Sequence, residues 1–120
     1  MNLTNLLLCL IAVESGGNPD AVKKDCVGVL QERPIFVDQV NKILGRQEFS
    51  YEDRKSRLKS LQMARIWFRH FERPDWTLQD YALSFKKGPS AYRVALSEGE
   101  LSKKDREYVE SVKNLMDLMN

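Results

Sequence analysis

Turn chemistry cuts this chain at short intervals, and that punctuation sets its fold class. Gly16-Gly17-Asn18-Pro19, Pro34, Gly45 and Gly88-Pro89 each stop or start a helix. Glycine takes the left-handed conformation that closes a helix, whereas proline suits a first turn and cannot continue an existing one. Between the breaks, apolar residues recur at steps of three and four. Leu58, Leu61, Ala64, Trp67, Phe68 and Phe71 make one inward stripe, and Val109, Val112, Leu115, Met116 and Met119 make another. Ser50 with Asp53 has the spacing of a capping box and predicts a long helix through about Phe71. Thr77 with Asp80 predicts a helix over 78–87, Pro34 one running to about Leu44 and closed by Gly45, and Ser102 with Asp105 a final helix. Residues 18–33 read as a loop with one apolar patch, Val27-Gly28-Val29-Leu30. The expectation is a mainly α chain, one compact helical domain over residues 1–120, with a minimal β corner near residues 26–32. A chain of 120 residues holds enough apolar material for one core.

The inventory of side chains excludes several kinds of chemistry. Nineteen basic against 17 acidic residues leave a net charge of +2, which gives no mandate for nucleic acid. Lys55, Arg57, Lys59, Arg65 and Arg69 make one stretch locally basic and read as the solvated face of a helix. His70 is the single histidine, and Cys9 and Cys26 lack metal-like spacing, so neither a metal nor another cofactor is expected. The same two cysteines read as buried or free thiols rather than as a disulfide framework. The apolar run Leu6–Ile11 has no positive residue before it and is too short to span a bilayer. It reads as a core helix, with neither a membrane span nor an export signal expected.

Carboxylate chemistry is what remains, and Glu14 is its best candidate. On a helix over residues 3–14, Leu3, Leu7 and Leu10 share a face with Glu14, so the carboxyl is aimed inward. Burial disfavours the charged form of a carboxyl, and an acid that keeps its proton near neutral pH serves as a general acid. Glu14 is the one carboxylate whose position predicts burial without an obvious nearby cation. Asp53, Asp80 and Asp105 are accounted for as helix-start residues.

The run Ile11-Ala12-Val13-Glu14-Ser15-Gly16-Gly17-Asn18-Pro19, followed by Val27-Gly28-Val29-Leu30-Gln31, resembles the signature of soluble lytic transglycosylases. These belong to the lysozyme-like superfamily that includes goose-type lysozyme. In that family a catalytic Glu-Ser ends a helix and a Gly-Leu-Met-Gln-like segment follows. Ala82-Leu83-Ser84-Phe85-Lys86-Lys87-Gly88-Pro89 falls where the family has an Ala-Tyr-Asn-Ala-Gly-Pro-like segment. The match spans about residues 5 to 93 with its three blocks in the family's order. With Pro34-Ile35 and the helix that follows, the chain looks most like short members carried by phages and mobile elements.

The resemblance implies a lysozyme-like fold and cleavage of the β-1,4 bond between N-acetylmuramic acid and N-acetylglucosamine in peptidoglycan. Glu14 would protonate the glycosidic oxygen and then take a proton from the muramoyl 6-hydroxyl, giving a 1,6-anhydro product. Most glycosidases use two carboxylates instead. Ser15 is expected to hydrogen-bond near the acid, Gly28 to let backbone approach the sugar, and Gln31 to line the cleft. Phe85 would offer a sugar-stacking face, and it stands where the family commonly has Tyr. Lys86 replaces a substrate-contacting Asn, so its cation is expected either to favour the charged form of Glu14 or to turn to solvent. Glu32 and Arg33 are expected to add charge near the cleft. Two alternatives stay open: a muramidase that uses water, and an inactive or weakened relative that binds glycan or serves as a structural part of a phage particle or conjugation apparatus. The implied partner is the glycan strand, reached in the periplasm by way of a virion, a holin or a secretion apparatus.

Overall fold

Each break seen in the sequence ends or begins an element in the computed structural model, which describes residues 1–119. Helix α1 spans Leu3–Ser15 and stops where Gly16 and Gly17 take φ of +64° and +88°. Two short antiparallel strands follow, β1 (Val22–Lys23) and β2 (Cys26–Val27), with Val22 opposite Val27 and Lys23 opposite Cys26. Helix α2 (Pro34–Leu44) has its proline in the first turn and Gly45 at φ +72° beyond its last, as the sequence led one to expect. A 3-10 helix (Tyr51–Lys55) precedes α3 (Arg57–Phe71). Helices α4 (Leu78–Lys87), α5 (Pro89–Ser97) and α6 (Lys103–Met119) complete the chain. The class is therefore mainly α. Among the described residues no helix is long and apolar enough to cross a membrane.

The chain divides into two compact units. One comprises residues 1–9 and 71–120, and the other residues 10–70. In the first unit Leu6, Leu7, Cys9, Ala82, Leu83, Tyr92, Val112 and Met116 are buried, and α4 packs on both α5 and α6. Tyr81 is a core aromatic there, edge-on to Trp76, with its hydroxyl donated to Glu72 at 2.9 Å. Burial and that acidic neighbour push the phenol up to about 12. In the second unit Leu10, Ile11, Val29, Leu30, Val37, Val40, Met63, Trp67 and Phe68 form the core. The Trp67 indole lies against Phe36 and Phe68 and donates to Gln39 Oε1 at 3.1 Å. Both cysteines are free thiols.

Two expectations are corrected here. The helix foreseen from Ser50 to Phe71 is two elements, because Ser56 takes an extended φ/ψ of −90°/119° between them. The capping signal at Ser50 and Asp53 is real, with the Asp53 carboxylate accepting from the Ser50 amide at 2.9 Å, but it starts the 3-10 helix. The inward face of α3 is also turned from the foreseen stripe. Leu58 is 67% exposed, while Ser60 is fully buried in line with Met63, Ala64, Trp67 and Phe68. On α6 the buried line runs Asp105, Tyr108, Val112 and Met116, and Met119 is exposed. In α3 the polar Ser60 holds a core position that apolar periodicity alone assigns to its neighbour Leu61.

Past α2 the chain turns on one side chain. Buried Asn41 donates to the Phe49 carbonyl at 2.9 Å and accepts from the Phe49 and Glu48 amides at 2.9 and 3.1 Å. A buried backbone group left without a partner costs about 1–3 kcal/mol. Asn41→Ala is expected to lower unfolding free energy by about 2 kcal/mol or more on that basis, read from the urea midpoint at unchanged m-value.

Candidate functional site

The local physics of residues 10–32 places the residues singled out by sequence. Helix α1 delivers Glu14 and Ser15 to its last turn, where both are half-buried. Ser15 Oγ donates to the Val29 carbonyl at 2.7 Å, lies 3.2 Å from the Ile11 carbonyl, and accepts from the Gly17 amide at 3.1 Å. One hydroxyl thus closes the helix and fastens its end to the turn that begins at Val27. Its hydrogen-bonding capacity is committed to the backbone, so Ser15 holds the helix end that carries Glu14. Glu14 is partly exposed rather than fully buried, which corrects the inward placement expected from its helical face. Nearby, burial raises the Cys26 thiol, helped by the charges of Asp25 and Glu14 and opposed by Arg33.

The turn itself is held by reciprocal backbone bonds between Val27 and Glu32, both at 3.0 Å, with the Gln31 amide donating to the Gly28 carbonyl at 3.1 Å. Gly28 takes φ +89° and Gln31 φ +51°. The close approach Gly28 permits is to protein: a Cβ there would lie 1.9 Å from the Arg54 carbonyl oxygen. That contact is by itself sufficient reason for a glycine at this position. Gln31 uses its amide NH2 on the Ala21 and Gly28 carbonyls, each at 2.9 Å. Its carbonyl oxygen is the part of the side chain left to meet a ligand.

Sequence reasoning overlooked the most deeply buried carboxyl in this region. Glu32 is only 2% exposed, deeper than Glu14. Its Oε1 accepts from Ser60 Oγ at 2.6 Å, and its Oε2 has no hydrogen-bond partner among the described residues. Burial pushes it from its ordinary 4.5 up to about 8, against the opposing pull of Ser60 and the Arg54 guanidinium. It is a neutral acid at pH 7, not the added charge near the cleft that was expected. Arg54 does not pair with the carboxyl. Its guanidinium spans the Tyr51, Asp25 and Glu32 carbonyls at 2.8, 2.9 and 3.1 Å. Arg33 is exposed and lies 3.7 Å from Asp25. The sequence around Glu32 carried no such signal, since it stands between Gln31 and Arg33, and the signal on α3 was Ser60 among core positions.

Phe85 and Lys86 belong to the other unit, on α4, with Phe85 half-buried. Lys86 follows neither course expected of it, because its ammonium pairs with Asp105 at 3.3 Å and sits 4.9 Å from the Tyr108 ring centre. Lys87 pairs with the same carboxylate at 3.0 Å. Burial of Asp105 acts to raise its carboxyl, but hydrogen bonds from Lys87, Ser102 and Lys86 outweigh that and hold it at about 2. Lys86 is thereby one of two cations that neutralise Asp105 within this unit. In the same unit a cavity of about 190 Å³ is lined by Arg73, Trp76, Asp80, Ser84, Tyr92 and Arg93 among others, and Phe85 and Lys86 do not line it. Among the described residues no three His, Cys, Asp or Glu side chains converge as metal ligands would.

No family model, no curated protein and no solved structure matches this chain.

Gly28→Ala meets both a left-handed φ and the Arg54 carbonyl, and is expected to cost more than about 2 kcal/mol. Urea unfolding checks this, with Gly17→Ala as a control. That position is also left-handed, but nothing lies within 4 Å of its added Cβ.

Proposed function

We propose that this protein is a peptidoglycan lytic transglycosylase in which Glu14 is the single acid and base. The observation that carries the reading is the Ser15 Oγ bond to the Val29 carbonyl at 2.7 Å. It joins the two motif blocks, Glu14-Ser15 and Gly28 to Gln31, in one hydrogen-bonded piece, as a catalytic helix end and its adjoining ligand-binding turn require. A half-buried carboxyl at a helix end remains open to a ligand, as a general acid must.

The chemistry follows from one carboxyl changing roles. Glu14 gives its proton to the glycosidic oxygen as the bond to the anomeric carbon breaks. The resulting carboxylate then accepts the proton of the muramoyl 6-hydroxyl as that oxygen closes on the anomeric carbon, leaving a 1,6-anhydro end and regenerating the acid. Gln31 would offer its carbonyl oxygen to a sugar N-acetyl N–H. The two-carboxylate route gains no support from Glu32, which is buried and neutral at pH 7. The weakened or glycan-binding alternative draws on one feature, the absence of a phenolic hydroxyl at Phe85. Lys86 no longer argues for it, since its charge is matched by Asp105. The substrate lies outside the cytoplasmic membrane, so the reading includes delivery by a virion, a holin or a secretion apparatus.

Mass spectrometry of purified peptidoglycan after digestion tests the proposal. Anhydro-muropeptides are expected from the parent protein, and Glu14→Gln is expected to lower their release by about 10²–10⁴-fold, the usual contribution of a positioned acid. Reducing-end products would make it a muramidase. Sedimentation of both proteins with glycan, with no release by either, would make it a binding module.

A further inference from the structure

The buried pair formed by Glu32 and Ser60 takes no part in the proposed chemistry, yet it lies one residue from Gln31. We propose that Glu32 is a positioning residue for the Glu14 reaction: its carboxyl, held by Ser60 of α3, fixes the turn that carries Gly28, Val29 and Gln31, and through Val29 the end of α1. The inference rests on the Glu14 reading above for its reaction, and on the following geometry for its mechanism.

The path is continuous in hydrogen bonds. Ser60 Oγ reaches Glu32 Oε1 at 2.6 Å, and Glu32 pairs with Val27 in both directions at 3.0 Å, closing the turn. Inside the turn Gln31 holds the Ala21 and Gly28 carbonyls, and the Val29 carbonyl receives Ser15, the neighbour of Glu14. Glu32 is 2% exposed and Ser60 is fully buried, so neither touches a glycan, and any effect on cleavage passes through the turn.

The pair holds only while the carboxyl keeps its proton. A charge at Glu32 would meet one hydroxyl, and its Oε2 would meet no donor among the described residues. The charged groups around it offer little: Arg54 is engaged with three carbonyls, Asp25 and Arg33 lie exposed beside each other, and α3 faces it with Ser60. A buried carboxylate so poorly solvated is costly, and opening of the turn to water relieves that cost. The folded-state value, about 8, lies above the ordinary 4.5, so the folded chain retains a proton that the unfolded chain has lost between them. The pair's stabilisation is therefore complete below about 4.5 and is lost as pH rises through about 8.

The test compares the parent with Glu32→Gln, which keeps the shape and hydrogen bonding but does not titrate. Digestion rates are followed across pH, together with hydrogen-exchange protection factors of residues 27–32 in the intact protein. At about pH 9, one unit above the titration, the parent is expected to lose about tenfold in both rate and turn protection relative to neutral pH. Glu32→Gln is expected to keep the neutral-pH rate and the turn's protection, and to lose only the part of the rate at pH 9 that deprotonation of Glu14 itself removes in both proteins. Parallel pH profiles in the two proteins, or protection that falls equally in both, would overturn the proposal. If neither protein digests peptidoglycan at any pH, the Glu14 reading has failed, and the protection factors still decide whether Glu32 holds the turn. Should Glu32→Gln not fold, Ser60→Ala removes the donor to Glu32 and is expected to lower turn protection and digestion rate at neutral pH, and unchanged values would overturn the proposal.

Discussion

A buried turn has little helix or sheet ladder to satisfy its backbone, and the segment from Val27 to Glu32 meets the rest of that demand with side chains. Buried amides and carbonyls without partners are rare because each costs free energy comparable to a lost hydrogen bond. Ser15 from α1 takes the Val29 carbonyl, and Arg54 from the 3-10 helix takes those of Asp25 and Glu32. Gln31 takes two more with its own side chain. The positions of α1's end and of the 3-10 helix in this unit are thus tied to the same few carbonyls. The break at Ser56, which leaves α3 separate from the 3-10 helix, allows Arg54 to turn toward that target.

The first unit solves a different problem with one carboxylate. Asp105 caps α6 through Ser102, whose amide it accepts at 3.2 Å and whose hydroxyl meets its own amide at 3.1 Å. The same carboxylate, 3% exposed, neutralises Lys86 and Lys87 at the end of α4. A buried charge persists where it is paired and hydrogen-bonded on several sides, as this one is. Two cations near the C-terminal end of α4 also oppose the partial negative charge of that helix end.

Much of this was legible in the amino-acid order. Pro34, Gly45, Gly88-Pro89 and the Thr77 cap signalled real boundaries because their effects are local: a fixed φ, a left-handed residue, a side chain returning to its own helix. The motif residues Glu14, Ser15, Gly28 and Gln31 were likewise locatable, and all four lie in residues 10–70. The missed features were pairings between distant polar residues. Ser60 and Glu32 are 28 apart in the chain, and Lys86 and Asp105 are 19 apart. Each looks like a surface residue when read alone, since a polar side chain becomes a core residue only through its partner, and periodicity carries no information about partners. The 2.6 Å bond also explains the turned face of α3, because Ser60 points inward to meet the carboxyl.

The same bond has an evolutionary consequence. If Glu32 drifted to an apolar residue, Ser60 would keep a fully buried hydroxyl with its acceptor gone, at about 1–3 kcal/mol by the usual cost of such orphans. If Ser60 drifted to alanine, the carboxyl would lose its donor and stay buried. Each single step is penalised, whereas replacing both by apolar residues of matching volume is close to neutral. The two positions are therefore inherited as one character, and a descendant lineage would exchange them together or not at all.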